Sequence, residues 1–199
     1  MVKPVIQTIL KSSQNRPEGS VLSPKEFLGN NSRASVDQAF TRLTKAGKLI
    51  RVSQGIYVAP VESRFGVRPP TPETVIKSIS IKNNEEVAVN GAVAANFLGL
   101  STQVPVQEVY VTTGRNRTLR LGKRTIKFKH APRWQLVLGN RPAGMAIRAL
   151  AWMGPSHAPE TLKKIRQKLS KEEWKLMVES RTFFPGWIAK LLGEAKSNL

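Results

Sequence analysis

The forty residues from Ser20 to Pro60 constrain this chain more than any other stretch. A short apolar segment, Gly19-Ser20-Val21-Leu22, leads into Ser23-Pro24-Lys25-Glu26. Serine, then glutamate three positions on, with proline at the first helical position, marks a helix start, because the two side chains can satisfy amides that a helix leaves unpaired there. Gly29-Asn30-Asn31 makes a turn, and a second helix is predicted over about 32–46, with Val36, Ala39, Phe40 and Leu43 as its buried stripe. Gly47 suits the left-handed position that ends such a helix. Residues 49–52 and 56–58 read as two strands around Ser53-Gln54-Gly55. Strand, short helix, turn, longer helix and hairpin are the parts of a winged helix-turn-helix. A further helix over about 2–13 precedes them, its apolar stripe carried by Val2, Val5, Ile6, Ile9 and Leu10.

The expected organisation is a winged helix-turn-helix over residues 1–60, a proline-rich linker over 61–72, and a mixed α/β domain over 73–199 ending in helices, so the fold class is α+β. Prolines 60, 69, 70 and 72 disfavour a helix or central strand between them, which places the domain boundary there. Beyond it, Thr71-Pro72 opens a helix, residues 87–89 and 109–112 read as strands, and Asn90-Gly91 caps a small-residue helix closed by Gly99. Residues 118–121 and 124–129 make a hairpin about Gly122-Lys123, which puts Leu119, Leu121, Ile126 and Phe128 on its buried face. Residues 134–138 read as another strand. Helices follow over 142–153, 159–169, 171–181 and about 185–195, the third opened by a second capping box, Ser170 to Glu173.

Charge narrows the partner. The chain carries 32 Lys and Arg against 13 Asp and Glu, a net of +19, and affinity for nucleic acid comes largely from neutralised phosphates. Residues 1–60 hold +6 of this, and between Glu108 and Glu160 there are ten Lys or Arg and no acid. Zero cysteines exclude disulfides and thiolate chemistry. No apolar run approaches the ~20 residues of a membrane span. A cytoplasmic protein with no membrane partner is the expectation.

On a winged helix-turn-helix, the outward face of the second helix carries the base-reading side chains. Arg33, Gln38 and Arg42 are the base-contact candidates, since arginine and glutamine can each make paired bonds to a purine edge. Ser32 and Ser35 suit phosphate contacts, Lys45, Lys48 and Arg51 suit backbone or minor-groove contacts, and Thr41 shares the outward DNA-facing side. Arg33 and Asp37, at i and i+4, are also spaced to pair with each other. A second basic surface is expected from Arg115, Arg117, Arg120, Arg124, Lys127 and Lys129. It reads as an extension of the phosphate track, as a dock for an acidic partner or RNA, or as cations guarding a sheet edge. Catalysis is not expected: His130 and His157 have no acid between Glu108 and Glu160 to orient them, and no carboxylate cluster offers a metal or cofactor site.

Three stretches resemble the AbiEi-type antitoxins of type IV (abortive-infection) toxin–antitoxin systems. They are Ser35-Val36-Asp37-Gln38-Ala39 with Gly55-Ile56-Tyr57-Val58-Ala59-Pro60, then residues 90–103 (NGAVAANFLGLSTQ), then Val109-Tyr110-Val111-Thr112 with the basic hairpin after it. The resemblance implies a repressor that binds repeated operator sites on double-stranded DNA and autoregulates its operon. It also implies a second domain that opposes a nucleotidyltransferase-like toxin. The competing reading is an RNA-binding or protein-docking module that reads no DNA sequence.

Overall fold

The computed structural model describes residues 5–29, 31–103 and 105–197; Val2 and Asn30, assigned above to the first helix and to a turn, lie outside them. In chain order the elements are α1 (Val5–Gln14), β1 (Val21–Leu22), a 3₁₀ turn (Pro24–Phe27), α2 (Arg33–Lys45), β2 (Ile50–Ser53), β3 (Ile56–Val58), β4 (Val61–Ser63), β5 (Gly66–Arg68), α3 (Pro72–Asn83), β6 (Val87–Val89), α4 (Gly91–Phe97), β7 (Glu108–Thr112), β8 (Arg117–Leu121), β9 (Arg124–His130), α5 (Pro142–Met153), α6 (Ala158–Lys168), α7 (Lys171–Glu179) and α8 (Gly186–Ser197). The fold is mixed α+β.

The chain forms two compact units. One comprises Met1–Glu85 with Arg117–Ile126, the other Glu86–Asn116 with Lys127–Leu199. The boundary predicted over 61–72 is therefore displaced. Residues 61–68 pair as an antiparallel hairpin, Val61 opposite Arg68 and Ser63 opposite Gly66. The prolines at 69, 70 and 72 fall after this hairpin, and the last of them opens α3 behind its N-cap, Thr71.

In the first unit α1, α2 and a three-stranded sheet of order β1-β3-β2 enclose one core. Phe40 of α2 is its centre, edge-on to Phe27 at 5.7 Å between ring centroids and tilted over Tyr57 at 4.6 Å. Ile9, Val36 and Leu49 fill the space around it. The helix at Pro24 is a single 3₁₀ turn, in which the Ser23 amide donates to Glu26 Oε1 at 2.8 Å. Helix α3 joins the unit through Ser78, whose Oγ accepts from the Val21 amide at 2.9 Å. Strand β8 packs beside β2, bringing part of the later hairpin into this unit.

The second unit pairs β6 with β7, Ala88 opposite Val111, and β7 neighbours β9. Its main core lies among the helices, around Ile147, Leu150, Ile165, Met177, Ile188 and Leu192. The small-residue helix α4 exists to let α5 approach closely: a Cβ on Gly91 would sit 2.5 Å from both the Arg148 carbonyl oxygen and Trp152 Cβ. Asn90 caps α4 by accepting from the Val93 amide at 2.8 Å.

Residues 134–138 do not form the predicted strand. They belong to a 3₁₀ turn, Arg133–Gln135, and the hydrogen-bonded turns after it. The reason is Arg148, 1% exposed, whose guanidinium donates to the carbonyls of Gln135 (2.9 Å) and Gly139 (2.8 Å) and so binds the segment as a loop. The capping box at Ser170 forms by half. Ser170 Oγ accepts from the Glu173 amide at 3.2 Å, but the Glu173 carboxylate instead accepts from the Ala143 amide at 3.0 Å and from Arg141, capping α5.

Candidate nucleic-acid interface

Helix α2 owes its orientation to alternation of residue type. Val36, Ala39, Phe40 and Leu43 are buried, and every other turn-to-turn position projects outward. Ser32 is the N-cap, its Oγ accepting from the Ser35 amide at 3.2 Å, so this hydroxyl is committed to the helix start before any ligand arrives. Ser32, Arg33, Ser35, Gln38, Thr41, Arg42 and Lys45 are all exposed, as are Lys48 and Arg51 on the following segment. Nine predicted contact residues thus share one unit, and α2 holds six of them on its outer side.

They differ in availability. Arg33 Nε donates to Asp37 Oδ2 at 2.7 Å, and both side chains are about half exposed. A solvated i,i+4 pair of this kind stabilises weakly, by about 0.3–0.5 kcal/mol, so phosphate or a guanine edge can compete for the guanidinium. Thr41 Oγ1 donates back to the Asp37 carbonyl at 2.8 Å. Gln38, Arg42, Lys45, Lys48 and Arg51 have no ion-pair or side-chain hydrogen-bond partner among the described residues. Gly55, at φ +69°, makes the turn between β2 and β3, where the register shifts between Arg51 and Ser53.

The hairpin surface divides. Its buried face is as the two-residue turn requires, with Leu119, Leu121, Ile126 and Phe128 all inside and Gly122 at φ +62°. Arg115, Arg120, Arg124 and Lys129 are exposed. Arg117 is not part of an open basic surface: it forms a paired bridge with Glu85, with its side chain 17% and that of Glu85 5% exposed. Lys127 is half-buried and donates to Gln107 Oε1 at 3.0 Å. Moreover Arg120, Lys123 and Arg124 fall in the first unit, Arg115, Lys127 and Lys129 in the second. The charge ledger turns over accordingly. The first unit holds 17 basic and 6 acidic residues, net +11, and the second 15 and 7, net +8.

Sequence reasoning missed the pairing of Arg117 because nothing local to it signals a partner 32 positions away. It also missed the second hairpin, where Phe65 and Val67 are 86% and 68% exposed. Among the described residues no group of three His, Cys, Asp or Glu side chains is placed to hold a metal ion, and no helix is long and apolar enough to cross a membrane.

Comparison with known proteins gives three results. No curated protein matches the sequence. The fold is similar to that of the crystal structure of the RV2827C protein from Mycobacterium tuberculosis, with a TM-score of 0.51 and 14% identity over 96% of this chain and 77% of that one. At that identity the likeness concerns the fold alone. A family model matches residues 7–177, which take in both units, and so the chain belongs to DUF6088, a family of unknown function.

Proposed function

We propose that this protein is a DNA-binding transcriptional repressor whose first unit is a winged helix-turn-helix with α2 as its reading helix. The observation that carries the reading is the outer face of α2, where Gln38 and Arg42 stand exposed and unpaired on a helix whose inner face is fixed in a core. A rigid helix with bidentate-capable side chains and flanking lysines is suited to the major groove. The β2–β3 turn supplies the wing, with Arg51 beside it. The net of +11 on this unit supports phosphate neutralisation across a wider footprint, and Arg120 on β8, beside β2, extends it.

The biological setting is the antitoxin of a type IV system, a repressor that binds repeated operator sites and opposes a nucleotidyltransferase-like toxin. That part rests on the sequence resemblance in residues 35–60, 90–103 and 109–129. The protein acts without catalysis or cofactor, in the cytoplasm, with double-stranded DNA as its main partner. A competition experiment tests the reading. Labelled duplex from upstream of the protein's own gene is challenged with random duplex and with structured RNA. Retention of the upstream duplex against both is expected. Equal displacement by random duplex or by RNA would favour the module that reads no sequence.

A further inference from the structure

The β4–β5 hairpin stands outside the core of the first unit. Of its residues only Val61 is partly buried, and Phe65 at the tip is 86% exposed. A lone two-stranded hairpin is marginally stable in water, yet this one is fixed at both ends. At its base Arg68 Nη1 donates to Glu18 Oε1 at 3.1 Å, and the Thr71 amide donates to the same oxygen at 3.1 Å. At its tip Ser63 Oγ donates to the Gly66 carbonyl at 2.8 Å and accepts from the Phe65 amide at 3.3 Å. Gly66, at φ +104°, closes the turn in a conformation that favours glycine. A large apolar ring is thereby held in solvent on a fixed mount. The Arg64 guanidinium lies 4.7 Å from its centroid and has no acid partner among the described residues. Glu62, the hairpin's one acid, sits back from the tip, opposite Val67.

An aromatic tip with a cation beside it suits either a second copy of the chain or the stacked bases and phosphates of duplex DNA. Area and charge decide between them. Two such rings bury about 150–250 Å² each, well under the about 1,200 Å² of a stable protein interface. Each copy carries +19, so contact between tips also sets like charges against each other. DNA supplies what the tip lacks, an anion for Arg64 and a flat apolar face for Phe65. We infer that the hairpin tip is a minor-groove wedge: Phe65 stacks into one base step and Arg64 contacts the phosphate beside it. The inference rests on the reading of α2 as a DNA-reading helix and adds a contact that deforms the duplex. Stacking tolerates every base, so the wedge contributes affinity and favours a pyrimidine–purine step, which unstacks most readily.

The test uses the full chain and upstream duplexes that carry 2-aminopurine at each adenine in turn, a base that brightens when it is unstacked. One position should brighten at saturating protein. Phe65→Ala should abolish that signal and weaken upstream binding at least about fivefold, the low end of what one base–aromatic stack contributes. Phe65→Trp should retain both, and Phe65→Ala should still prefer the upstream duplex to a scrambled one. Circular dichroism melting identifies a variant that fails to fold, and the wild-type 2-aminopurine scan then decides alone. Selective binding with no bright position, or with unchanged affinity in folded Phe65→Ala, overturns the wedge and leaves the reading by α2 intact. A DNA-free dimer that Phe65→Ala dissociates in sedimentation velocity gives the tip to a second copy and also overturns it. A wild type with no preference for the upstream duplex removes the reading by α2 and the wedge with it.

Discussion

Arg117 and Glu85, 32 positions apart, are joined by a two-pronged ion pair in which Nη1 donates to Oε2 at 2.9 Å and Nη2 donates to Oε1. The Asn83 amide group adds a third donor to Oε1 at 3.0 Å. The pair fastens the first residue of β8 to the chain just past α3, and so secures a distant segment within the first unit. Removing one partner takes from the other, largely buried charge the opposite charge that faces it. Glu85→Ala or Arg117→Ala should each lower stability by about 2–4 kcal/mol, less than a fully enclosed pair because Arg117 retains some solvent. The double variant should lose less than the sum. Urea denaturation measures all three, and strictly additive losses would deny the coupling.

The hairpin offers a way to separate phosphate contact from edge protection. Arg120→Glu lies in the unit that contains α2, and Lys129→Glu does not. The first should weaken DNA binding and flatten the plot of log affinity against log salt by about one unit of slope. The second should alter it less. Equal slopes in wild type and Arg120→Glu would leave edge protection as the role of that cation.

Arg148 carries a different load. Burial lowers its pKa to about 10, so at neutral pH it remains a guanidinium, held by the Gln135 and Gly139 carbonyls. Arg148→Met conserves much of the volume but strands those carbonyls and should cost about 2–4 kcal/mol. Both bonds come from one nitrogen, Nη1, so Arg148→Lys should recover part of the loss but not the Nη2 bond to Asn140 Oδ1. A lysine variant with wild-type Tm would contradict this role.

Glu173 gives the fold an acid-sensitive joint. Burial pulls its carboxyl up, but the Ala143 amide and the Arg141 guanidinium outweigh it and leave the pKa below its ordinary value of 4.5. A depressed carboxylate stabilises the fold fully above that ordinary value, and the contribution is lost as pH falls through the lowered one. Glu173→Gln should therefore be less stable than wild type at pH 7, with the gap closing under acid. Denaturation midpoints at pH 7 and pH 3 check it; a gap that widens on acidification would reverse the sign.

Much of this fold is written locally. The stripe Val36, Ala39, Phe40 and Leu43 predicts which way α2 turns, and Gly122-Lys123 predicts which side of the hairpin Leu119 and Phe128 occupy. What escaped were long-range decisions. Residues 134–138 are apolar enough for a strand, yet the buried Arg148 binds the carbonyls of Gln135 and Gly139 and holds the segment as a loop. Glu173 sits at the capping position of its own helix and serves another. The prolines near 69 suggest a boundary, whereas the first unit continues past them to Glu85 and recruits β8. For the candidate interface, exposure of all nine residues agrees with the sequence pattern; Arg117 and Lys127 do not, because their partners are remote.

The central claim is that the outer face of α2 reads DNA sequence. Fluorescence anisotropy with the upstream duplex and a scrambled duplex, on wild type and on Gln38→Ala and Arg42→Ala, tests it most directly. Each variant should lose about 1–3 kcal/mol of affinity for the upstream duplex and much less for the scrambled one. Unchanged discrimination between the two duplexes in both variants would contradict it.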